Sequence, residues 1–116
     1  MHYKRGGIYL ARLNPARGAE PGKVRPVLIL QADSLTVVGH STVVIVPLTT
    51  NLIDDAFPLR YRITRREKLQ QDSDLLCDQI RAIDIRRLGN EEIASLSDEE
   101  MLQVETQIAL ILDLAC

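Results

Sequence analysis

Residues 5–33 read R-G-G-I-Y-L-A-R-L-N-P-A-R-G-A-E-P-G-K-V-R-P-V-L-I-L-Q-A-D. Ile8 and Leu10 alternate with Tyr9 and Ala11, as in a strand with two different faces. Pro15, Gly18, Pro21 and Gly22 then stop any regular element, and residues 26–30 resume as an uninterrupted aliphatic run. Two strands therefore flank a stiff polar turn that carries Glu20, Lys23 and Arg25. Loops held by rigid elements are where binding and chemistry concentrate.

Working outward, residues 41–46 (S-T-V-V-I-V) form a second continuous β-branched run, so this strand and the one at 26–30 should be buried on both faces. A loop is expected between them at 33–40. Pro47-Leu48-Thr49-Thr50-Asn51 ends the third strand, and residues 58–64 (P-L-R-Y-R-I-T) alternate, placing Arg60 and Arg62 on one outer face. Residues 74–84 read as a single fifth strand, followed by a short turn or helix at 86–88. The C-terminal helix has the clearest start: Ser97 as cap, Glu100 completing a capping box and Leu96 stapling onto Met101. Met101, Val104, Ile108, Ile111 and Ala115 recur at helical spacing, and Leu102, Leu110, Leu112 and Leu114 widen the apolar surface. Such a stripe calls for cover from the sheet and from a second copy of the chain. The order of elements predicts a mainly β fold with one packed helix, the sheet closed into a small barrel that removes its edges.

The 116 residues suit one domain spanning 1–116. With no Trp and few aromatics, Val, Ile and Leu must build the interior. No run reaches the ~18 apolar residues of a spanning helix, and M-H-Y-K-R-G-G lacks the apolar core of a secretion signal, which predicts a cytoplasmic protein. Cys77 and Cys116 are expected as free thiols, and neither has the Cys/His company of a zinc site. Charge is divided: residues 1–66 hold ten Lys/Arg against four acids, and residues 67–116 hold four against twelve. A polyanion would favour the first part.

Arg25 leaves the turn just before Pro26, with planar, permanently charged donors that match phosphate oxygens. Thr49 and Thr50 close an apolar run where hydroxyls can meet a ligand lying over strand ends. Read alone, Arg25 could equally be a surface partner of Glu20, and the threonines ordinary strand residues. Histidine is the commonest acid–base residue, but His40 sits beside Gly39 in a loop, and His2 lies at the terminus.

Taken together, the 5–33 block, then T-V-V-I-V-P-L-T-T-N, D-L-L-C-D-Q-I-R-A-I-D-I-R-R-L and the final amphipathic helix resemble the MazF/PemK family of toxin endoribonucleases in order and spacing across nearly the whole chain. The resemblance implies a small SH3-like β-barrel of the CcdB/PemK type with a C-terminal helix. It also implies a homodimer that cuts single-stranded RNA at short recognition sequences without a metal or other cofactor, and an antitoxin that blocks it. By motif position it assigns the catalytic Arg to Arg25, the catalytic hydroxyl to Thr49 and an acid to Glu20, with Gln79 matching the family's fifth-strand Gln. Lys23, Arg17, Thr50 and Arg60, with Arg62 as the alternative to Arg60, are then the expected RNA contacts. The chain departs from the family pattern at Gly7, where an acid commonly follows R-G, and at Pro21, where Gln often follows Glu. The competing function is that of a same-fold toxin such as a CcdB gyrase inhibitor, which grips a protein target and cuts nothing.

Overall fold

The computed structural model describes residues 3–13 and 23–114. Seven strands, β1 (Gly7–Arg12), β2 (Val24–Ile29), β3 (Thr42–Thr49), β4 (Arg60–Ile63), β5 (Ser73–Leu76), β6 (Arg81–Asp84) and β7 (Leu88–Ser95), are joined by a short helix α1 (Asp33–Val37) and followed by α2 (Asp98–Leu112). The antiparallel sheet runs β4-β5-β3-β2-β1-β7, with β6 beside β3. These pairings do not close the ring of the expected barrel. A single backbone hydrogen bond, Lys68 N–H to Ile93 O at 2.8 Å, ties the β4–β5 turn to β7.

Both faces of the central strands are covered, which is why β2 and β3 are continuous apolar runs. Ile8, Leu28, Val46 and Leu48 point into one core with Ile63, Leu75 and the α2 residues Met101, Val104 and Ile108. Their sequence neighbours Tyr9, Val27, Ile29, Val43 and Ile45 point the other way, into a second core with Ala11, Ile83 and Leu88. The period-2 alternation of a strand thus sorts one apolar run into two interiors.

Four local readings change in the tertiary structure. Residues 33–37 coil into α1 where a loop was expected. The anticipated strand 74–84 breaks at a 3-10 turn, Cys77–Gln79, so that β5 pairs with Leu48 and Thr49 while β6 pairs with residues 42–45 of the same strand. Strand β7 had no clear sequence signal: Gly89, Asn90, Glu91 and Glu92 interrupt its apolar residues, and its pairing with β1 shifts register twice. The helix α2 has the expected capping box, Ser97 Oγ accepting from Glu100 N and Glu100 accepting from Ser97 N, but ends at Leu112, with Asp113 in the left-handed region. Leu102, Leu110, Leu112 and Leu114 remain exposed, and Ala115 lies outside the described residues.

Gln107 is buried on the packed face of α2, where helical periodicity alone calls for an apolar residue. Its Nε2 donates to Pro58 O at 2.8 Å and Arg60 O at 2.9 Å, tying the helix to the start of β4. Gln107→Ala leaves both carbonyls without this donor and is expected to cost about 1–3 kcal/mol in urea unfolding. An unchanged midpoint would show that the contacts are replaced by water. No helix among the described residues is long and apolar enough to cross a membrane.

Candidate active site

The sheet pairing brings residues distant in sequence into one rank across the strands. Leu88 lies opposite Ala11, Ala11 opposite Arg25, Thr49 opposite Asp74 and Asp74 opposite Arg62. Strands β2 and β3 link these pairs: their ladder ends at Val27 opposite Pro47, and Arg25 and Thr49 each lie two residues beyond that point, on the same face. Directly opposed residues share a face with Cα atoms about 5 Å apart. Arg25, Thr49 and Asp74 thus follow one another at the rim of the second core, on the side occupied by Val27, Ile45 and Ala11.

Each local geometry suits a polar rim. Thr49 ends β3, and its Oγ1 accepts from Asn51 N at 3.1 Å, which leaves the hydroxyl proton to donate elsewhere. Arg25 is half-buried beside Pro26, where the strand enters from the turn. Lys23 is exposed in the left-handed region at φ 61°, and its carbonyl accepts from Leu13 N. Arg17 and Glu20 lie outside the described residues.

Asp74, which the sequence reading did not single out, organises the loop beyond Thr49. Its carboxylate is 1% exposed and accepts from Arg62 Nε at 2.8 Å, Arg60 Nη1 at 3.1 Å and the Ile53 amide at 3.0 Å. Burial pushes its pKa up, but the hydrogen bonds from Arg62, Ile53 and Arg60 outweigh that and hold it below the ordinary 3.8. Arg60 also donates to Asn51 O, and Arg62 to Asp54. Arg60 and Arg62 do share a face, as alternation predicted, yet both guanidiniums are engaged by this carboxylate, Arg60 largely covered and Arg62 still exposed. The arrangement has an electrostatic consequence. A bare carboxylate one strand from Thr49 would repel an anion there, and two guanidiniums neutralise it. The sequence signal was present but quiet: a lone Asp at the head of an L-L-C run, beside a strand with Arg at alternate positions.

Other expected residues separate from this rank. Thr50 faces a different groove, an opening of about 700 Å³ shared with Leu52, Thr64, Arg65, Gln70 and Gln71. Gln79 sits in the 3-10 turn along the flank of β3, between the points where Leu75 meets Leu48 and Arg81 meets Ile45. His40 precedes the opposite end of β3; at ~3.3 Å per residue, that end lies about 23 Å from Thr49. Cys77 is a buried free cysteine whose thiol is pushed up to about 12 by burial, with Asp78 adding to the effect, so it packs as a neutral group. Cys116 and His2 lie outside the described residues.

The Gly7 position also acquires a meaning. A Cβ there would lie 2.4 Å from Glu92 Oε1, 3.0 Å from the Tyr9 ring and 3.1 Å from Lys4 O; the exposed Glu92 carboxylate can swing aside, whereas the buried Tyr9 ring and the Lys4 backbone cannot. Gly7→Asp is expected to cost about 1–3 kcal/mol through overpacking, with like-charge repulsion in addition. Glu92→Ala in the same background should recover part of that loss. A double-mutant cycle in urea checks it, and an identical cost with and without Glu92 would remove the like-charge part of this explanation.

The model for the PemK-like, MazF-like toxins of type II toxin–antitoxin systems matches residues 4–112. Solved structures with the same fold include the Mycobacterium tuberculosis toxin MazF-mt6, at 24% identity and TM-score 0.78 over 95% of this chain and 99% of that one. MazF from Deinococcus radiodurans is similar at 21% identity and TM-score 0.78, over 98% and 99% of the two chains. A mycobacterial endoribonuclease in complex with its cognate antitoxin matches at 21% identity and TM-score 0.71, over 97% and 94%. With the family model matching residues 4–112, this chain belongs to the PemK-like, MazF-like toxins of type II toxin–antitoxin systems.

Proposed function

We propose that this toxin is a metal-independent, sequence-specific endoribonuclease of single-stranded RNA, an mRNA interferase with Arg25 and Thr49 at its catalytic centre. The observation that carries the reading is the cross-strand rank: a forked cation and a hydroxyl on neighbouring strands, on one face, beside a carboxylate already neutralised. The ribose 2′-oxygen attacks the adjacent phosphorus, a P–O2′ bond forms, and the P–O5′ bond breaks. The products are a 2′,3′-cyclic phosphate and a 5′-hydroxyl. The nucleophile is already tethered to the phosphate, so the protein's task is to hold the group in line and stabilise its charge. Arg25 binds the scissile phosphate and the charge developing on it, and can donate a proton to the leaving oxygen. The Thr49 hydroxyl hydrogen-bonds a phosphate oxygen or the attacking hydroxyl. Glu20 orients Arg25, contacts a base edge or accepts the 2′ proton; an arginine, always protonated, is a poor base.

Lys23 and Arg17 supply phosphate contacts in this reading, and Thr50 and Gln79 reach RNA from the flanks of β3. Arg60, expected at a phosphate, instead secures the loop after Thr49 through Asp74 and Asn51. Two chains pair as a homodimer, and an antitoxin with an acidic, sparsely apolar segment occupies the basic groove as an RNA mimic and folds on binding. The test is incubation with a long single-stranded RNA in EDTA, followed by end-group analysis. Discrete cuts with cyclic phosphate ends are expected. An intact transcript together with gyrase arrest would move the assignment to the protein-binding class of toxin.

A further inference from the structure

Every aromatic residue of the chain is described: Tyr3, Tyr9, Phe57 and Tyr61. Tyr3 and Tyr9 are buried against each other edge to face, and Tyr61 packs partly against the first core. Phe57 alone is exposed, at 70%, on the loop that begins where Thr49 ends β3. Leaving a large apolar ring in water sacrifices burial that the other aromatics achieve.

That loop is tied to the site. Asp74, the cross-strand partner of Thr49, accepts the Ile53 amide, and Arg60 joins Asp74 to Asn51 O. Ala56 O then accepts from both Leu59 N and Arg60 N. Phe57 and Asp74 line a common cleft of about 220 Å³ together with Ile53, Asp54, Asp55, Arg60 and Arg62; the two arginines are engaged by Asp74 and Asp54, while Asp55 stands beside the ring. The cleft therefore offers a flat apolar face with a carboxylate acceptor beside it. Carboxylates repel phosphate but accept hydrogen bonds from the exocyclic amino groups of bases. Unpaired bases are recognised by aromatic stacking combined with hydrogen bonds to their edges.

We infer that Phe57 is a stacking platform for an unpaired nucleobase next to the phosphate held at Arg25 and Thr49, with Asp55 accepting from that base's amino group. The inference rests on the ribonuclease reading for the position of the phosphate and adds a base-binding element to it. A chain with so few aromatics has no extended stacking surface, so one ring captures one base.

The protein has no Trp, so Phe57→Trp installs a single reporter at this position. The probe is a fluorescein-labelled, fully 2′-O-methylated single-stranded oligonucleotide of mixed sequence, which has no free 2′-hydroxyl to attack. Binding is followed by anisotropy and stacking by Trp emission. Quenching that saturates with binding is expected. Phe57→Ala should bind about tenfold more weakly, as loss of one base stack predicts, and Phe57→Tyr should restore binding. Unchanged Trp emission with the oligonucleotide bound, or wild-type affinity in Phe57→Ala, would overturn the inference. So would emission that varies with protein concentration in the absence of RNA, since Phe57 would then cover a protein contact. Cleavage of unmodified RNA is measured in parallel to separate the two claims. Cutting without quenching removes the stacking platform and leaves the nuclease; quenching without cutting does the reverse.

Discussion

Arg25→Ala is expected to lower kcat for single-stranded RNA cleavage by two to three orders of magnitude, the usual loss when one preorganised donor to transition-state charge is removed. The effect should fall mainly on kcat, because a phosphorane carries more charge for the guanidinium to stabilise than the ground-state diester. Arg25→Lys keeps the charge but loses the planar fork, so it should recover only part of the rate. Stability should barely change, since Arg25 sits half-buried at a strand entrance outside both cores. Thr49→Ser retains the hydroxyl and Thr49→Val does not, which separates chemistry from packing at the neighbouring position. Single-turnover kinetics on a short RNA containing one cut site read all four variants. Near-wild-type kcat in Arg25→Ala would remove the catalytic assignment.

The second large effect is structural and centres on Asp74. Removing it takes their shared acceptor from two guanidiniums, which keep only Asn51 O and Asp54, and leaves the Ile53 amide without its acceptor. Breaking a buried ion pair from one side costs about 3–5 kcal/mol, and Asp74→Ala should fall near the lower end because both guanidiniums can turn toward solvent. Asp74→Asn retains an oxygen for the amide and should cost less. The pH dependence follows from the direction of the shift. The folded carboxylate titrates below its ordinary 3.8, so its stabilisation is complete above that value and is lost as pH falls through the lower, folded pKa. Glu100 behaves in the same sense: the Arg66 hydrogen bond holds it below 4.5 against burial, with the Ser97 amide assisting. Acid unfolding of the wild type should therefore steepen below about pH 4, and Asp74→Asn should have a shallower profile. Urea melts at several pH values test this, and an identical acid slope in the two proteins would show that Asp74 does not hold the loop through its charge.

Much of the fold could be read along the chain because it depends on local periodicity. The runs at 26–30 and 41–46 are apolar at every position, and only a strand covered on both faces makes that pattern useful; the two cores do so. Ser97 and Glu100 announce the helix because capping is settled within four residues. Residues 74–84 were misread as one strand because their composition is strand-like throughout. The break at Cys77–Gln79 arises from a long-range demand, two separate pairings along β3. Strand β7 stayed hidden for a related reason: its polar middle has no local preference for a strand, and β1 supplies the pairing.

The candidate site divides in the same way. Sequence alone determined the chemical types available, namely an arginine beside a proline at a strand entrance, a threonine at a strand end and a basic N-terminal portion, since these are properties of residue identity and near neighbours. Only the tertiary structure decided which of them meet. Strand alternation puts Arg25 and Thr49 on one face just past the Val27–Pro47 pair and sends Thr50 to another groove, because a shift of one residue reverses the face of a side chain. Strand pairing also brings Asp74 beside Thr49, sets Arg60 and Arg62 against it to neutralise it, and leaves Phe57 in water on a pinned loop. Those relations span strands far apart in the chain, and no local periodicity encodes a distance of that kind.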